Sequence, residues 1–182
     1  MKLHSKISAV VVTGTLAGAT AVAGAGPAQA AVPPPPNGSI CAIQVDNDRF
    51  VTAVGGGGRI TSVMRTDATV IGPNEKFTLE PVGDGVHVDL RTRSANYVTA
   101  VNSGGLSHNQ VPDVLHTDAI RRDTWETFEL VAQENGLVAI RAFDRHFLTA
   151  VDGGGRSSGA FDSNRSVVKS WEKFRFICGL SL

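Results

Sequence analysis

The sequence has no surplus of either charge: 17 Lys and Arg stand against 17 Asp and Glu in 182 residues. A nucleic-acid binder concentrates cations on one face to neutralise phosphates, and attraction to an anionic membrane needs a similar excess, so this balance argues against both partners. Cysteine is scarce, with Cys41 and Cys178 alone. They show no C-x-x-C spacing, and the five histidines form no H-E-x-x-H or other ligand spacing, so neither a metal site nor a redox pair is expected. No G-x-S-x-G phrase presents a nucleophilic serine, and Gly55–Gly58 lacks the G-K-[ST] of a phosphate loop. No cofactor is implied. Helical periodicity is nearly missing too, which leaves strands and turns to build the fold.

What the chain does have is one passage written three times. Residues 50–58 read FVTAVGGGG, 97–105 YVTAVNSGG and 147–155 FLTAVDGGG. A second phrase follows each: NEKFTL from Asn74, WETFEL from Trp125 and WEKFRF from Trp171. First aromatic to last Phe spans 27, 31 and 27 residues, so the two phrases keep phase and define repeats of about 39–83, 84–133 and 134–179. The second repeat carries extra residues, placed by this spacing within Gln110 to Asp123, and the first has Asn74 where the others have Trp. Alternation in Phe77–Leu79, Val86–Leu90, Phe128–Leu130 and Phe174–Phe176, with turn clusters between, predicts about four short strands per repeat and twelve in all. Phe50, Tyr97 and Phe147, together with Phe77, Phe128 and Phe174, are read as buried core layers.

The one long uncharged run, Ile7 to about Gly24, follows Lys2 and Lys6 and ends before Ala28-Gln29-Ala30. It reads as a signal peptide over residues 1–30; the alternative, a retained anchor, would insert weakly because Gly, Ala and Thr dominate it. The processed chain is then expected to be extracellular, free of the membrane and monomeric, with a Pro-rich leader at 31–38 and one domain at 39–182. Without Lys2 and Lys6, 15 basic residues face 17 acidic ones. In an oxidising compartment Cys41 and Cys178 are expected to form a disulfide tying the first strand to the last. Cys41 aligns with Val88 and Val138, and Cys178 continues the alternation of Phe174 and Phe176, so both are expected to face inward.

A threefold repeat of four strands fits an all-β β-trefoil with three pseudo-symmetric four-stranded repeats. An aromatic followed by V-T-A, a glycine cluster and W-E-x-F resembles the fascin-like β-trefoil family over about residues 39–180, in a secreted, single-trefoil version. That resemblance implies a binding role and, through the actin cross-linking of fascin-like domains, a protein partner. The Q-x-W of ricin-type lectin trefoils occurs nowhere.

A threefold repeat separates like residues, so Glu75, Glu126 and Glu172 cannot form a carboxylate pair. They are expected instead to accept backbone donors or pair with an arginine. Catalysis is not expected. Of the binding classes, carbohydrate comes first. The turns between first and second strands, Asp46-Asn47-Asp48-Arg49, Arg93 to Asn96 and Asp144-Arg145-His146, offer groups suited to vicinal hydroxyls. Asp46, Asp48, Arg49, Asn96, Asp144 and His146 are therefore the candidate ligand residues, with Phe143 or Phe161 as an apolar face. The alternative is a protein partner: actin, another protein, or a protease bound by an inhibitor.

Overall fold

The computed structural model describes residues 36–181; the signal-peptide reading and most of the Pro-rich leader lie outside them. The first repeat supplies β1 (Ser39–Gln44), β2 (Phe50–Ala53), β3 (Met64–Ala68) and β4 (Lys76–Pro81). The second supplies β5 (His87–Arg91), β6 (Tyr97–Ala100), β7 (Leu115–Ala119) and β8 (Thr127–Ala132), and the third β9 (Val138–Arg141), β10 (Phe147–Ala150), β11 (Phe161–Arg165) and β12 (Lys173–Cys178). β1, β4, β5, β8, β9 and β12 pair antiparallel in a closed ring. β2–β3, β6–β7 and β10–β11 form three hairpins across one end. This is the β-trefoil. The extra residues of the second repeat fall before β7, in the connection 101–114 that corresponds to 54–63 and 151–160.

The core follows from strand alternation, though not with the six aromatics expected. Phe77, Phe128 and Phe174 are fully buried, facing Cys41, Val88 and Val138 across the ring. In the second strand of each repeat the inward residues are Val51 and Ala53, Val98 and Ala100, Leu148 and Ala150. Phe50, Tyr97 and Phe147 share the opposite face with Thr52, Thr99 and Thr149, because residues two apart lie on one side of a strand. Phe50 and Tyr97 are accordingly only half-buried, and Phe147 packs in a small separate cluster with Val131 and Ala139. Polar groups reach two of them: Tyr97 donates its hydroxyl to Glu80 at 3.1 Å, and the Arg91 and Arg141 guanidinium groups lie over the Tyr97 and Phe147 rings.

Those three threonines explain the three glutamates. One oxygen of Glu75, Glu126 and Glu172 accepts the hydroxyl of Thr52, Thr99 and Thr149 at 2.7–2.8 Å. The other accepts the backbone N–H of Gly72, Asp123 and Lys169 at 2.8 Å. Each carboxylate is buried, and both its oxygens are engaged, so burial carries its compensation. The expected backbone donors are present; the second partner is a threonine rather than an arginine. Thr in V-T-A and Glu in E-x-F thus form one clip between β2 and β4, repeated twice more.

The repeats also interlock in a cycle. The loop after each V-T-A strand donates to the third strand of the next repeat: Gly58 to Thr117, Gly105 to Ser163 and Gly155 to Thr66, at 2.6–2.8 Å. Thr117, Ser163 and Thr66 return bonds to Arg59, Leu106 and Arg156. Glycine is needed where this loop meets the neighbouring turn. Gly104 has φ 119°, and a Cβ there would sit 2.8 Å from the Asp144 Cγ. Gly104→Ala is expected to cost about 2–3 kcal/mol from backbone strain and clash together. Gly83→Ala, also at positive φ but with open space around it, is expected to cost only about 1 kcal/mol. Equal midpoint shifts in urea for the two variants would remove the clash from this account.

Cys41 and Cys178 are bonded, directly opposite each other in the β1–β12 ladder. Cys41 is buried as expected, but Cys178 is exposed. β12 ends at that residue; past the exposed Gly179 the chain stays beside β1, where Leu180 donates to the Ile40 carbonyl at 3.2 Å, and it leaves Cys178 uncovered.

Candidate functional site

The β1–β2, β5–β6 and β9–β10 turns share one backbone form. Val45, Thr92 and Ala142 receive a bond from their own turn, and Asp48, Ala95 and Arg145 take positive φ at its tip. The middle N–H of each turn donates to the glycine loop of the preceding repeat: Asn47 to Gly153, Ser94 to Gly56 and Asp144 to Ser103, at 2.8–3.2 Å. The turns are therefore docking elements between repeats, and this decides which of their side chains remain open.

Arg49 Nη1 donates to the Asp67 carbonyl at 2.8 Å. Asn96 Nδ2 donates to the Asp118 carbonyl at 3.0 Å, while its oxygen accepts from Ser94. Asp144 accepts the His146 backbone N–H at 3.0 Å and pairs with the His146 ring at 2.7 Å. Asp48 occupies the exposed tip, and Phe161 is buried in the core. The six candidates thus lie on three separate turns. Four of them, Arg49, Asn96, Asp144 and His146, hold side-chain bonds within the fold.

Asp46 differs. Its Oδ2 lies 3.4 Å from where a Gly153 Cβ would stand, and Trp171 Nε1 lies 3.2 Å from that point. Trp171 belongs to the 3-10 turn Ser170–Glu172, which the Glu172 clip fixes against β10. The indole N–H, a donor, and the carboxylate, an acceptor, thus both border the space over a residue that has no side chain. Among the described residues neither has a hydrogen-bond partner. Trp171 is 41% exposed and borders a groove of about 640 Å³ that also includes Asn164, Lys169 and the exposed Val167. Asn164 Oδ1 is buried there without a partner.

The symmetry-related positions are unlike this one. In the first repeat Gly56 has Asn74 and Arg93 around it. In the second, Ser103 replaces the glycine, Trp125 corresponds to Trp171, and Phe143, 56% exposed, to Asp46. Phe143 borders a different groove of about 350 Å³ together with Val82, His87 and Arg122. Beneath it Asp89 is fully buried, which raises its carboxyl above the usual range despite bonds from Arg122 and Thr127. Only the seam between third and first repeats combines a glycine gap, an indole and an open carboxylate. Sequence reading missed Trp171 because it falls inside a repeated phrase. The available signal was that its position varies among repeats, as Asn74, Trp125 and Trp171, while Glu and Phe beside it do not.

No protein-family model matches the sequence, and no curated protein matches it. Solved structures do share the fold. The designed threefold-symmetric protein ThreeFoil superposes with a TM-score of 0.65 at 11% identity, over 76% of this chain and 97% of its own. The Rhizoctonia solani agglutinin gives 0.64 at 20% identity, over 81% and 99%. SeviL, solved bound to the asialo-GM1 saccharide, gives 0.58 at 9% identity, over 79% and 100%. At these identities the likeness is one of fold.

Proposed function

We propose that this β-trefoil is a secreted, non-catalytic binding module that recognises carbohydrate at the Trp171–Asp46 slot. The observation that carries the reading is the unpartnered donor and acceptor held across Gly153 beside a half-exposed indole. A sugar hydroxyl can accept from the indole N–H and donate to the carboxylate, while a ring face of C–H groups lies on apolar Trp171 and Val167. Agglutinin and saccharide-bound neighbours support the class of ligand. The engagement of both oxygens of Glu75, Glu126 and Glu172 supports a structural role for these acids, and the disulfide supports an oxidising location. The V-T-A, glycine and W-E-x-F phrases support placing the chain with the fascin-like trefoils.

The test is retention of residues 31–182 on insoluble cellulose, xylan, galactan and chitin, with actin filaments in parallel. Trp171→Ala and Asp46→Ala are each expected to weaken polysaccharide retention at least about tenfold, as loss of a charge-assisted bond or an aromatic platform does. Their melting temperatures should stay close to that of the unaltered protein. Asn96→Ala should do the reverse, lowering stability by about 1 kcal/mol through its lost carbonyl bond while leaving retention unchanged. A second reading, a protein partner, is favoured by the exposed Val82, Ile120, Trp125 and Phe143. Retention on filaments alone would select it.

A further inference from the structure

The slot does not end at Asp46. The same residue borders a second groove, of about 190 Å³, over the seam between β1 and β12, where Asp48, Lys173 and Arg175 also lie. Arg175 stands opposite Gln44 in the ladder, and Gln44 Nε2 donates to the Asp48 carbonyl at 3.1 Å, so strand and turn are held facing one another. One wall carries two carboxylates and the other two cations. No nitrogen–oxygen approach within 4.0 Å joins them, and among the described residues none of the four side chains has a partner. Opposite charges that do not meet leave room for a group that donates to one wall and accepts from the other. A hydroxyl does both; a carboxylate or an ammonium would gain at one wall and be repelled at the other.

We infer that the site takes a chain rather than a single sugar: a neutral oligosaccharide of at least two units, one ring on Trp171 and the next between the Asp48 and Lys173–Arg175 walls. Asp46 serves both units, which fixes their order along the seam. This extension rests on the slot reading proposed above.

Calorimetric titration of the intact domain with three matched pairs tests it: xylose and xylotriose, galactose and galactotriose, N-acetylglucosamine and its β-1,4 trimer. One trisaccharide is expected to bind at least about tenfold more tightly than its monomer, the equivalent of one further good polar contact. The double variant Lys173→Ala/Arg175→Ala should reduce that advantage to about twofold and leave the monomer's affinity unchanged, and raising the salt to about 0.5 M should barely alter binding of the neutral trisaccharide. Equal affinities within every pair overturn the extension and leave the slot standing. So does loss of monomer binding in the double variant, since the basic wall would then belong to the slot. Failure of every sugar to bind overturns the slot reading, and the extension with it.

Discussion

Phe128→Ala is expected to lower the free energy of unfolding by about 3–5 kcal/mol, the range for truncating a fully buried Phe. Its ring has no exposure, lies in the layer shared with Phe77 and Phe174, and sits opposite Val88, so no neighbouring strand can collapse into the space without disturbing the ring of six. Phe50→Ala is the informative contrast. Its half-exposed ring lies outside the barrel core, and about 1 kcal/mol is expected. Urea denaturation monitored by tryptophan fluorescence reads both. Similar losses at Phe50 and Phe128 would mean that the aromatics of both phrases do share one core, against the alternation described above.

Opening the Cys41–Cys178 bond is expected to be as costly. The linked residues are 137 apart in sequence, and the chain-entropy estimate for a loop of that length is about 5 kcal/mol. For a domain of this size, that amounts to a fall of roughly 10–20 °C in melting temperature. Cys178 is exposed, so a reductant can reach the bond without prior unfolding. Thiol titration of unreduced, denatured protein should find almost no free thiol. Calorimetry with and without dithiothreitol then supplies the shift, and a change below about 3 °C would show that the β1–β12 ladder holds without covalent help.

The fold was legible because its rules are local and repeated. V-T-A and E-x-F are the two ends of a threonine–glutamate clip, and three copies at constant phase reveal a threefold before any strand is placed. The orientation of Phe50, Tyr97 and Phe147 was not legible, since alternation is anchored by which residue the clip turns outward, and that residue is the threonine. The inward setting assigned to Cys178 failed for a related reason. Alternation says which face a residue takes, but not whether anything covers that face at a strand's last position. The site was least legible of all. Asp46 and Trp171 lie at opposite ends of the chain and meet only because the first turn docks on the third glycine loop. In the sequence Asp46 stood among similar turn residues, and nothing local separates it from Asp144, whose carboxylate is occupied by its own histidine.

Ring closure also sets a clock. β1 finds its two barrel neighbours in β4 and β12, so the first strand of the barrel is completed only by the twelfth. Until residues 173–178 have emerged, one edge of β1 offers unpaired donors and acceptors to any other extended chain. A nascent chain can close its hairpins one by one, but the barrel closes only once β12 is available. Before closure that edge can pair with a neighbouring chain, and a truncation ending before Lys173 leaves it open without limit.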